Sequence, residues 1–87
     1  MPRYISQHTL ACLTKQGAEE LARRLEAATA VNVRRVVVNM QDGKMLVEFE
    51  APAREDAEKW LAAERLHFDW LLRLELEYAE GALRPLT

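Results

Sequence analysis

Two kinds of spacing organise the apolar residues of this chain. Ala18, Leu21, Ala22, Leu25 and Ala28 recur at intervals of three and four, the mark of a helix with one buried stripe. Thr14 is placed to cap it, and Glu19-Arg23 and Glu20-Arg24 support its solvated face at the four-residue interval. Before it, Tyr4 to Leu10 reads as a strand of low apolar content. After a loop at Thr29 to Asn32, the β-branched residues of Val33 to Met40 favour an extended chain. Asp42-Gly43 then supplies two residues that tolerate positive φ. Lys44 to Glu50 alternates Met45, Val47 and Phe49 inward with Leu46, Glu48 and Glu50 outward, so a hairpin is predicted. Pro52 ends that strand, and Glu55-Asp56 mark the first turn of a second helix over about Arg54 to His67. Trp70, Leu72, Leu74, Leu76 and Tyr78 alternate with Leu71, Arg73, Glu75 and Glu77, which predicts a half-buried last strand. Residues 81–87 read as an exposed tail.

Strand, helix, two strands, helix, strand is the order of an α+β ferredoxin-like βαββαβ sandwich. Residues 1–80 form its single domain. A four-stranded antiparallel sheet ordered 4-1-3-2 carries both helices on one face. The alternation leaves Arg35, Glu48, Arg73, Glu75 and Glu77, with Val37 and Leu71, on the other face. That open face and the two edge strands predict a homodimer.

With 87 residues there is room for one core. Fourteen acidic against twelve basic side chains leave a net charge of −2, which argues against nucleic acid as a partner. No apolar run nears the ~20 residues of a membrane span, and Met1-Pro2-Arg3-Tyr4 does not open like a signal peptide. A cytoplasmic protein is expected. The single Cys12 fits a reducing compartment, and a buried inert thiol is preferred over a nucleophile because no base is visible beside it.

Candidate chemistry gathers where apolar residues are wanted. Ser6-Gln7-His8-Thr9 puts polar side chains on both faces of a central strand. On the second helix, Glu64 falls within the face of Ala57, Trp60, Leu61 and Phe68, and His67 follows three residues later on the same side. If His8 faces the helices, then His8, Glu64 and His67 form two imidazoles and a carboxylate, a set suited to zinc, nickel or non-haem iron. The bland alternative is a hydrogen-bonded His8 and a Glu64 paired to Arg65 or another cation, and it is favoured. Trp60, Phe68, Trp70 and Tyr78 read as core around the last helix–strand junction, with Trp60 and Phe68 as the lining of any ligand pocket.

His8, the run Glu48-Phe49-Glu50-Ala51-Pro52 and His67 resemble the small, stand-alone ferredoxin-like bacterial proteins grouped with a nickel-binding protein. The resemblance covers most of the chain in element order. It implies a homodimer that binds a divalent metal. Three readings follow. The first is a non-catalytic homodimeric domain that binds a metal such as nickel or zinc, or a small molecule, between the first strand and the second helix. The second is a cofactor-independent enzyme of the dimeric α/β-barrel kind, with His8 or Glu64 as general base in a closed apolar pocket. The third is a protein–protein interaction domain that uses the open sheet face.

Overall fold

A computed structural model describes residues 1–86. The chain is a mixed α+β protein: β1 (Arg3–Thr9), α1 (Lys15–Glu26), β2 (Asn32–Asn39), β3 (Lys44–Glu50), α2 (Arg54–Ala63), β4 (Trp70–Leu74), β5 (Leu76–Ala79) and β6 (Ala82–Pro85). Four strands make an antiparallel sheet ordered β2-β3-β1-β4, which counted from the β4 edge reads 4-1-3-2. Thr14 caps α1, its hydroxyl accepting from the Gly17 amide at 3.0 Å. The β2–β3 turn differs in detail from the two-residue expectation. It spans Met40 to Gly43, only Gly43 has positive φ (65°), and Asn39 Oδ1 closes it by accepting from the Asp42 amide at 3.0 Å.

The register divides the sheet into two unlike faces. Tyr4, Ser6 and His8 of β1 lie beside Phe49, Val47 and Met45 of β3, and all six are buried. Leu25 of α1 and Ala57, Trp60 and Leu61 of α2 join this cluster, so both helices cover that face. Phe49 is stacked with Tyr4 at 5.8 Å and tilted against Trp60 at 5.0 Å.

Strand β4 corrects the predicted alternation. Ser6 pairs with Leu71, so Leu71 follows the parity of the β1 core residues and is buried. Trp70, Leu72 and Leu74 therefore stand on the open face, where Trp70 is 41% and Leu72 54% exposed. Period-two pattern alone favours the parity with more apolar residues, yet here one leucine suffices on the core side because the helices supply the rest.

The two remaining differences lie near the chain's second half. Helix α2 stops four residues early, at Ala63. The Leu66 amide donates to the Leu61 carbonyl at 2.9 Å and the Arg65 amide to that of Ala62 at 3.0 Å, with Arg65 at φ 59°. These two bonds make a Schellman end, and the burial of Leu66 completes it. Beyond β4, residues 76–85 are a hairpin and no simple tail. Ala79 pairs with Ala82 around Glu80-Gly81, both at positive φ (53° and 82°), the signature of a type I′ turn. This hairpin is a separate two-stranded sheet. The radius of gyration is 13.5 Å, above the ~12 Å of a compact domain this size.

Candidate functional site

His8 faces the helix layer, as the metal reading requires, but both ring nitrogens are engaged. Nδ1 lies 2.7 Å from the His67 carbonyl and Nε2 lies 2.8 Å from Ser6 Oγ. A carbonyl only accepts, so Nδ1 carries the proton and the Ser6 hydroxyl donates to Nε2. Burial holds the imidazole below its ordinary pKa of 6.5, against the raising effects of the His67 carbonyl and of Asp69. Ser6 and His8 have the spacing of a nucleophile and its base. Both are wholly buried, however, so no substrate reaches them, and the pair serves to tie β1 to the α2–β4 connection.

The three predicted ligands do not come together. Helix α2 has ended before His67, so Glu64 and His67 do not share a helix face, and His67 meets His8 through its backbone oxygen instead of its ring. Glu64 Oε1 accepts from Arg24 Nε at 2.8 Å, and a second bond runs from Arg24 to the Glu64 carbonyl at 3.0 Å. The paired reading of Glu64 thus holds, with Arg24 of α1 as the cation in place of Arg65. Among the described residues, no three His, Cys, Asp or Glu side chains form a metal-holding group. The predicted pocket lining divides too. Trp60 is packed in the core, while half-buried Phe68 lines an open cleft of about 460 Å³ with Glu58, Ala62, Arg65, Leu66 and His67. Trp70 and Tyr78 lie outside the core, and Cys12 is exposed, contrary to the buried thiol expected.

The open face carries what the sequence pattern hid. At one end Asp69 accepts from Thr9 Oγ1 at 2.6 Å and from Gln7 Nε2 at 3.1 Å, and those bonds hold its carboxyl below the ordinary range. Lys44 Nζ donates to Thr9 Oγ1 at 2.7 Å. On the β2–β3 side Arg35 and Arg3 both approach Glu48, at 3.6 and 3.7 Å, and Arg34 approaches Glu50 at 3.7 Å. On the β1–β4 side the register sets Ile5 beside Leu72 and Gln7 beside Trp70. The face is thus polar and internally neutralised along one half, and apolar along the other.

The same alternation of apolar residues resumes beyond Glu75 in the separate β5–β6 hairpin. Leu76 pairs with Pro85 and Tyr78 with Leu83, so these four residues share one face of β5–β6. Leu76, Tyr78 and Leu83 are 54%, 73% and 65% exposed. The other face holds Glu77 beside Arg84 and Ala79 beside Ala82. The missed signal was the type I′ turn, which Glu-Gly announces less clearly than Asn-Gly or Asp-Gly does.

Comparison with protein-family models, with curated proteins and with solved structures yields no match to this chain.

Proposed function

We propose that the chain is a ferredoxin-like interaction domain, non-catalytic, whose working surface is the open face of its sheet and whose partner there is a second copy of itself. The observation that carries this reading is the placement of Trp70 and Leu72, large apolar residues turned away from the core on a face that no helix covers. Side chains of that size on the solvent side of a strand weaken solubility unless something covers them. The neutralised charges of Arg3, Arg34 and Arg35 against Glu48 and Glu50 remove the like-charge repulsion that two copies would otherwise meet.

The competing readings lose their supports at this site. An enzyme of the closed-pocket kind needs a base in contact with an enclosed cavity, whereas His8 is spent on Ser6 and the His67 carbonyl. A metal bound between β1 and α2 needs ligands that converge, and Glu64 is turned to Arg24. A second reading retains one observation in its favour: the cleft beside Phe68 has the size for a small molecule and carries the Arg65 guanidinium at its wall, opposite in charge to Glu58 in the same lining.

Leu72→Glu in the full chain tests the proposal. Light scattering behind gel filtration should give about 20 kDa for the wild type, twice the 10.0 kDa of the chain, and about 10 kDa for the variant. A wild type at 10.0 kDa contradicts the dimer. A variant that remains at twice the chain mass places the interface elsewhere.

A further inference from the structure

Residues 76–85 present a physical problem that the single chain does not solve. A two-stranded hairpin by itself is marginal in water, because it has one ladder and no layer against which to bury a face. Among the described residues β5 and β6 pair only with each other, and the apolar face of Leu76, Tyr78, Leu83 and Pro85 is left to solvent. The type I′ turn at Glu80-Gly81 and the matched register show a well-specified hairpin nonetheless. A hairpin so specified and so exposed is shaped for a surface beyond its own domain.

We infer that this hairpin is an exchanged arm: in the homodimer each protomer lays the face of Leu76, Tyr78 and Leu83 against the apolar half of its partner's open sheet, over Ile5, Trp70 and Leu72. The inference rests on the dimer proposed above and adds the element that closes it. Three observations favour a second copy as the occupant. Each chain has one uncovered apolar arm and one uncovered apolar sheet half, and a two-fold exchange covers both at once and leaves neither free. The charged residues of the receiving sheet are paired with one another on its other half, while Glu77 and Arg84 stand on the hairpin face turned away from the contact, so no unpaired charge is driven into it. The area is also sufficient. Trp70, Leu72, Leu76, Tyr78 and Leu83 are 41%, 54%, 54%, 73% and 65% exposed. With Trp70 and Tyr78 at the ~150–250 Å² of an aromatic side chain and the leucines near the low end of that range, they present on the order of 550 Å² per protomer. The pair would bury about 1,100 Å², just above the ~1,000 Å² that a specific interface should clear.

The experiment uses two full-length proteins in a Cys12→Ser background, one with Tyr78→Cys and nitrogen-isotope-labelled, the other with Leu72→Cys and unlabelled. They are mixed, treated with a short bis-maleimide, digested, and read by mass spectrometry. The expected product joins positions 78 and 72 across opposite labels. As a control, a third chain carrying both Tyr78→Cys and Leu72→Cys is treated alone as an equal mixture of labelled and unlabelled copies, and a bridge between positions 78 and 72 found only within single chains shows the hairpin folded back on its own sheet and overturns the inference. So does a mixture with no bridge between positions 78 and 72. In parallel, Tyr78→Glu/Leu83→Glu should raise the dimer dissociation constant more than about tenfold, with the far-ultraviolet dichroism of the main sheet and helices retained. If that variant dimerises like the wild type while Leu72→Glu is monomeric, the sheet-face dimer stands and the exchanged arm falls. A wild type that remains monomeric at about 100 μM removes both.

Discussion

His8 shows how a polar residue can belong to the core without belonging to a site. Its two hydrogen bonds fix one tautomer and join β1 to the end of α2, and burial disfavours the charged ring. The unfolded chain takes up a proton near pH 6.5 that the folded chain refuses until the pH is lower. Stability is therefore complete above that value and declines as the pH falls through and below it. Denaturant midpoints between about pH 7.5 and 5 should show this slope in the wild type and lose most of it in His8→Gln, which does not titrate there. Asp69 and Glu50, held low by their hydrogen bonds to Thr9, Gln7 and Asn32, contribute only further down the acid range. At Arg65 the backbone is in the left-handed region that glycine adopts freely, so Arg65→Gly should stabilise the protein by about 1 kcal/mol in urea unfolding, while a β-branched residue there should destabilise it.

At the scale of elements, the β2–β3 connection depends on a close approach. Gly43 lies at φ 65°, its carbonyl accepts from the Leu10 amide at 2.9 Å, and a Cβ would stand 3.0 Å from the Leu10 oxygen. Gly43→Ala should cost about 1–3 kcal/mol by thermal unfolding, and a loss below a few tenths would show that the loop yields freely. Much of the element order was legible because the signals agreed: Thr14 ahead of the Ala18–Leu25 stripe, the run of valines in β2, the clean alternation of β3. The candidate site was less so. The end of α2 has no glycine to announce it, and carrying the helix to His67 placed Glu64 and His67 on one face where the Schellman turn separates them. In β4 both parities contain leucine, and only the pairing of Leu71 with Ser6 decides which side is the core. Contacts between elements, such as Arg24 with Glu64 or His8 with the His67 carbonyl, join positions far apart in the chain and leave no local periodicity to read.

For the whole molecule, the distribution of apolar surface is lopsided. The helix-covered face closes over Tyr4, Phe49, Trp60 and Leu61, whereas the open face and the hairpin keep Trp70, Leu72, Tyr78 and Leu83 outside. Burial of that surface in a dimer would raise the unfolding midpoint with protein concentration, a dependence that a monomer lacks. The most direct test is an isotope-filtered nuclear Overhauser spectrum of a one-to-one mixture of labelled and unlabelled chain. Intermolecular contacts from the methyl groups of Leu72 and Ile5 are the predicted result. A spectrum without intermolecular contacts, recorded where relaxation reports a 10.0 kDa particle, would contradict the dimer and leave the open face without a second copy on it.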